Sequence, residues 1–231
     1  MNQPAAPRRK RGRPPIEGLA ERRRQEILTV AIEQFAANGY DNTDLQNVAA
    51  ILGVGKGTLY RYFPSKRQMF EAALDRIVAE MRQAMDQSIQ AEQDPFAQLA
   101  AATRAYLTFF GEHPSYVELI MQERADPREG RKPTYFAHRE VALRRWQDFY
   151  RGLIAAGKIR NVPVERITDV MCNAIYGTMC TNYFSGPAKS PAEQAEDILD
   201  VALHGLLTEQ EAARLRAACK DKTKCQEGAA C

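Results

Sequence analysis

Lys56, Gly57, Thr58, Tyr60 and Arg61 fall within six consecutive residues, and their side chains suit an anionic partner rich in hydrogen-bonding edges. Lys and Tyr reach phosphate oxygens, while Thr and Arg reach base edges. Gly57 lets a backbone approach closely, because it adds no Cβ. A second basic arrangement, Arg11-Gly12-Arg13-Pro14, lies within the run Arg8-Arg9-Lys10-Arg11-Gly12-Arg13 near the start of the chain. This is the chemistry of a duplex nucleic acid contacted from two places. The charge distribution agrees: residues 1–66 carry a balance of +5, whereas the remainder carries −2. Positive charge gathered at one end is expected when that end meets polyphosphate and the other does not.

The elements that must position these residues are helices. From about Glu21 apolar residues recur at three- and four-residue spacing, and no stretch alternates with period two. The chain is therefore predicted to be all-α, with about nine helices. They are placed at 22–38, 44–51, 56–62, from just after Ser65 to about Ala91, 95–112, 114–125, 134–156, 164–184 and 191–217. Their breaks fall at Gly39, Asp94-Pro95, His113-Pro114, Asp126-Pro127, Lys132-Pro133, Val162-Pro163 and Gly186-Pro187. Three starts carry a capping box, Thr43…Gln46, Ser65…Gln68 and Ser190…Glu193, in which a hydroxyl accepts an early amide and Gln or Glu reaches back. Helices 44–51 and 56–62, joined by Leu52-Gly53-Val54-Gly55, form a helix-turn-helix. Val48, Ala49 and Leu52 should pack on Leu59 and Phe63 over Phe35, leaving the outer face of the second helix for a major groove.

The stretch Ile27-Leu28…Ala31…Phe35-Ala36…Gly39-Tyr40…Thr43…Val48-Ala49…Leu52 and then Gly53-Val54-Gly55-Lys56-Gly57-Thr58-Leu59-Tyr60-Arg61-Tyr62-Phe63-Pro64-Ser65-Lys66…Phe70 resembles the signature of the TetR family of transcriptional regulators. One departure is Gly55, where the family often has Ser, which puts a phosphate contact at that position in doubt. The resemblance implies that Thr43 caps the second helix and touches phosphate. It also implies that Lys56, Gly57, Thr58 and Arg61 face the groove, that Tyr60 and Tyr62 clamp the backbone, and that Lys66 meets a phosphate. Leu59 and Phe63 read as core, and Tyr62 reads equally well as core or clamp. Arg11 and Arg13 resemble the core of an AT-hook, in which Arg-Gly-Arg lies in a narrow A/T-rich minor groove; a non-specific electrostatic tail is the other reading.

The expected organisation is a disordered basic arm (1–20), a DNA-binding domain (21–68), a helical effector-binding and dimerisation domain (69–217) and a Cys-containing tail (218–231). The resemblance implies that 164–184 and 191–217 form a hairpin that pairs two-fold with its copy. Val170, Ala174, Ile198, Leu199, Ala202 and Leu206 are its candidate interface residues. A small apolar or aromatic effector would be lined by some of Tyr106, Phe110, Met121, Trp146, Tyr150, Asn173 and Tyr176, although aromatic residues at helical spacing are more often core. The expected partners are a duplex operator with pseudo-palindromic sequence, a second copy of the chain and an unidentified small molecule that releases it from DNA. Two other readings are a thiol- or soft-metal-responsive regulator and a constitutive DNA binder.

Catalysis finds no support. There is no Gly-rich phosphate loop, no HExxH and no nucleophile in a recognised setting, and three histidines leave few bases. No catalytic residue, metal site or cofactor is expected. The five cysteines form no CxxC pair. Cys172 and Cys180 sit about 12 Å apart along one helix by its rise, so they read as small buried residues. Cys219, Cys225 and Cys231 share a six-residue spacing that suits metal capture or redox sensing only loosely. No apolar run approaches the roughly 20 residues of a membrane span, and the basic, Pro-rich start lacks the apolar stretch of a secretory signal. A bacterial cytoplasmic location is expected.

Overall fold

The computed structural model describes residues 18–125 and 133–204. Among them it contains nine helices and no strand: α1 Leu19–Asn42, α2 Leu45–Ile51, α3 Lys56–Tyr62, α4 Lys66–Gln90, α5 Pro95–Glu112, α6 Pro114–Ala125, α7 Thr134–Ala155, α8 Val164–Ser185 and α9 Pro191–His204. Arg11, Arg13, Leu206, Cys219, Cys225 and Cys231 lie outside the described residues, as does the expected continuation of the last helix to 217.

The described residues form two units. The first comprises residues 18–78, 118–125 and 133–137, and the second residues 79–117 and 138–204. In the first, one face of α1 is wholly buried through Ile27, Leu28, Ala31, Ile32 and Phe35. It meets Val48 and Ala49 of α2, Leu59 of α3 and the Met69, Phe70, Ala73, Leu74 and Ile77 face of α4, all interior. Phe35 and Phe70 pack edge-to-face with centroids 5.1 Å apart. Polar bonds fix the same joint, since the Arg76 guanidinium donates to Gln25 O (2.9 Å) and Thr29 Oγ1 (2.8 Å).

Helix α1 extends further at both ends than 22–38. Its expected stop at Gly39 is nonetheless real: Gly39 leaves helical geometry (φ 77°, ψ 161°), and a short turn follows to Asn42. That conformation is almost confined to glycine.

In the second unit α5 is central, with α8 and α9 packed against it. Asp94 caps α5 by accepting from the Phe96 and Ala97 amides at 2.9 Å, with Pro95 in the first turn. Leu99 of α5 joins Tyr150, Leu153, Val164, Met171 and Leu199 in one buried cluster, flanked by Trp146, Phe149 and Ile198. Thr168, also buried, turns its hydroxyl onto the Val164 and Glu165 carbonyls at 3.0 Å. The Ser190 box closes in both directions: Ser190 Oγ accepts the Glu193 amide at 3.3 Å, and Glu193 Oε2 accepts the Ser190 amide at 2.9 Å. The Ser190 hydroxyl, which also donates to Glu193 Oε2 at 2.7 Å, and then the Ser190 amide hold the Glu193 carboxyl below its ordinary range. At Ser65 the hydroxyl accepts the Gln68 amide at 3.1 Å.

Candidate nucleic-acid interface

The reader is built from its turn. Helix α2 ends at Ile51, and Gly53 follows in the left-handed region at φ 65°. The Gly53 amide donates to Ala50 O (3.1 Å) and the Val54 amide to Ala49 O (2.9 Å). This paired closure satisfies two end carbonyls and turns the chain sharply. Helix α3 then begins at Lys56 with Leu59 fully buried and Phe63, just past its end, 2% exposed. Leu52 is only half-buried. With its back so fixed, α3 presents Gly55, Gly57, Tyr60 and Arg61 to solvent, while Lys56, Thr58 and Tyr62 are half-buried.

The start of α2 differs from the expectation. Asp44, not Thr43, is the cap, and its carboxylate accepts the Gln46 amide at 2.8 Å. Thr43 is 4% exposed. Its one hydroxyl proton is shared between Gly39 O (2.7 Å) and Gln34 O (3.1 Å). The Thr43 hydroxyl is thus committed to the corner between α1 and α2.

Several cations are held around α3. Lys56 Nζ lies 3.8 Å from the Asp44 carboxylate, with their side chains 42% and 58% exposed. The Arg61 guanidinium stands 5.5 Å from the Tyr62 ring centre. Lys66 donates to Asp41 O at 2.9 Å and lies 5.0 Å over the Tyr40 ring. Arg24 of α1 covers the Phe63 ring at 5.0 Å, next to the end of α3. Sequence reasoning missed Arg24. The run Arg22-Arg23-Arg24 was the available signal, but its partner is 39 residues away in sequence. Cation–ring contacts like these orient a positive head, and Arg24 also lies 4.0 Å from the Glu21 carboxylate.

Residues 27–73 match the family model described as bacterial regulatory proteins, tetR family. Over those residues the chain resembles the TetR family. Its members are DNA-binding regulators rather than enzymes. The chain is 30% identical over 107 residues to the nucleoid occlusion factor SlmA of Pasteurella multocida, covering 46% of this chain and 54% of that one. It is 31% identical over 104 residues to the HTH-type transcriptional regulator YhgD of Bacillus subtilis, covering 45% and 54%. The chain thus spans about half the length of the curated relatives it matches. In fold it is similar to the TetR family regulator PfmR of Thermus thermophilus, with a TM-score of 0.65, 21% identity and coverage of 79% and 99%. It is equally similar to the regulator FadR of Bacillus subtilis solved with stearoyl-CoA, with a TM-score of 0.65, 18% identity and the same coverage.

The other expected sites are distributed as follows. Tyr106, Phe110 and Tyr150 are interior to the second unit, where Trp146 and Tyr176 are half-buried. The Tyr106 hydroxyl donates to Met179 Sδ at 3.3 Å. Met121 is half-buried in the first unit. Asn173 is exposed and accepts from Arg139 at 3.1 Å. Of the expected interface set, Val170, Ala174 and Ala202 are exposed and Ile198 is half-buried. Leu199 is 7% exposed and belongs to the interior cluster instead, because α9 turns it toward α5. Cys172 and Cys180 are free thiols. No described helix is long and apolar enough to cross a membrane.

Proposed function

We propose that this chain is a cytoplasmic repressor that binds a pseudo-palindromic operator as a homodimer and leaves it when a small apolar effector binds its helical domain. The observation that carries the DNA-binding part is the solvent-facing side of α3. Gly55 and Gly57 permit close approach, while Lys56, Tyr60 and Arg61 stand over a back formed by Leu59 and Phe63. In this reading Thr58 and Arg61 address base edges. Lys56, Tyr60, Tyr62, Lys66 and Arg24 address phosphates, with Thr43 setting the corner beneath them. Arg11 and Arg13 reach an A/T-rich minor groove flanking each half-site. Residues 69–217 carry the effector and the dimer contacts. The fold likeness to a regulator solved with stearoyl-CoA supports an apolar effector.

Selection of bound fragments from random duplex DNA, followed by footprinting, tests the reading. The expected site is two-fold, with half-sites about one helical turn (~34–36 Å) apart. Lys56→Ala should weaken binding to all sequences alike and lower the log–log salt slope by about 1. Removing residues 1–15 should lower it by several. Binding without sequence preference would sink the operator reading. A second reading is a DNA binder indifferent to small molecules; the partial match to a nucleoid occlusion factor supports only its DNA-associated role. Operator release on titrating apolar compounds separates the two.

A further inference from the structure

A buried oxygen in the first unit is left without a partner. Gln122 of α6 is half-buried, and its side-chain Nε2 donates to the Glu118 carboxylate at 2.9 Å and to Ala36 O of α1 at 3.4 Å. Its Oε1 is shut off from solvent and has no hydrogen-bond partner. Turning the amide over would not help, because Oε1 would then face a carboxylate and a carbonyl, both acceptors. The partners therefore fix which way the amide points. An apolar side chain of the same length would fill this place without stranding an acceptor, and a stranded acceptor costs stability. Stability alone does not account for an amide here.

Its place in the fold supplies a reason. Ala36 stands between Gln34 and Gly39, whose carbonyls receive the Thr43 hydroxyl at the foot of α2. Gln122 thus reaches, across 86 residues of sequence, the stretch of α1 that sets the corner under the reader. A bond of 3.4 Å is long for an N–H donor and an oxygen, so it aims α1 more than it strengthens the fold. The next residue, Glu123, holds α7 in turn: its carboxylate accepts the Thr134 amide at 2.8 Å and the Thr134 hydroxyl at 2.7 Å. Helix α6 enters this unit from the second, and α7 leaves for it. Polar bonds therefore join α1, α6 and α7 through two consecutive residues.

We infer that Gln122 is a positioning residue for the reader: its two donated bonds set the end of α1, and through the Thr43 corner α2 and α3, at one orientation to α6. The consequence for DNA rests on the dimeric operator reading, since a fixed orientation matters most where two readers must meet two half-sites together.

The test uses the full-length protein, the two-fold duplex recovered by selection and a duplex carrying one half-site. Gln122→Met removes the donors and the stranded oxygen together. It should unfold in urea no earlier than the unaltered protein and bind the half-site as before. Its preference for the two-fold duplex over the half-site should fall about tenfold, part of the gain of about 10²-fold that matched spacing gives. Gln122→Lys offers donors alone, four residues after Glu118 in the favourable order, and should keep most of that preference; the ratio between the duplexes cancels its added charge. Without DNA, hydrogen exchange followed by mass spectrometry should quicken in Gln122→Met over residues 36–47 and return toward normal in Gln122→Lys. Unchanged exchange there, or equal loss with Gln122→Met and Gln122→Lys, would overturn the inference. So would a lower urea midpoint with both duplexes weakened alike, or an unchanged duplex preference in Gln122→Met where the unaltered protein has one. Exchange that changes as described, in a protein whose unaltered form prefers no two-fold duplex, would leave the positioning role standing and remove the dimeric operator reading.

Discussion

At the foot of α2 the Asp44 carboxylate accepts the Gln46 amide at 2.8 Å and lies 3.8 Å from Lys56. The first contact supports the fold. The second holds an anion beside a lysine meant for phosphate. Asn caps a helix about as well as Asp, whereas Ala costs about 1 kcal/mol. An exposed pair like Lys56–Asp44 contributes only about 0–1 kcal/mol to stability. Asp44→Asn should therefore change unfolding free energy by less than about 0.5 kcal/mol while tightening DNA binding at low salt, by removing a charge that repels phosphate. Asp44→Ala should tighten binding similarly but lose about 1 kcal/mol of stability. Urea denaturation and fluorescence anisotropy on the same samples check both, and equal DNA affinity in all three proteins would show that the carboxylate does not reach the interface. Thr43 and Asp44 also show a limit of the sequence. Both are good caps, and the choice was made by the Gln34 and Gly39 carbonyls that capture the Thr43 hydroxyl. That capture joins Thr43 to a carbonyl nine residues earlier, which local spacing does not show.

Among elements, α3 starts without a side-chain cap. Gly55 occupies its cap position in extended geometry (φ −76°, ψ 149°) and supplies no side-chain bond. A Cβ built there meets nothing within 4 Å. Gly55→Ser should fit without strain and add a few tenths of a kcal/mol. Its hydroxyl would also stand where the family often presents one, so tighter operator binding is expected. A drop in affinity at unchanged stability would mean instead that DNA needs the bare backbone there. Gly39 behaves oppositely. Its geometry is one that L side chains rarely adopt, and Gly39→Ala should cost about 1–3 kcal/mol in thermal or urea unfolding. Helix positions were mostly legible, because Pro95, Pro114 and Pro191 set three starts, while Gly53 and Gly39 set two exits. The added turns of α1 at both ends were not, since neither proline nor periodicity marks them. The back of the reader was legible through Val48, Ala49, Leu59 and Phe63, whose apolar spacing points one way. The cation–ring contact of Arg24 with Phe63 was not, because it joins positions far apart in the chain.

For the whole molecule, the two units are not continuous in sequence: α4, α6 and α7 each begin in one and end in the other. Periodicity within a helix carries no trace of that, nor does it show that Leu199 faces inward while Val201 and Ala202 do not. What α8 leaves outward is more telling. Val170 is 59% and Phe184 71% exposed, and Ala174, Gly177 and Thr181 are exposed between them. These positions recur every three or four residues and so share a face. On α9, Val201, Ala202 and Leu203 are exposed as well. A two-fold contact needs a self-complementary patch, and small residues at 174 and 177 let two copies of α8 approach closely. Val170→Glu with Ala174→Glu places like charges opposite each other across that axis, where the cost is highest. In sedimentation the unaltered protein should run as a dimer and the double variant as a monomer of unchanged helix content. Joining two readers makes the second contact intramolecular, a gain of about 10²-fold or more when the spacing fits. The monomer should accordingly lose about that factor on a two-fold operator, yet bind an isolated half-site as before, because α3 is untouched. A double variant that still sediments as a dimer would place the interface on another face. A monomer that keeps full operator affinity would mean that a single reader suffices.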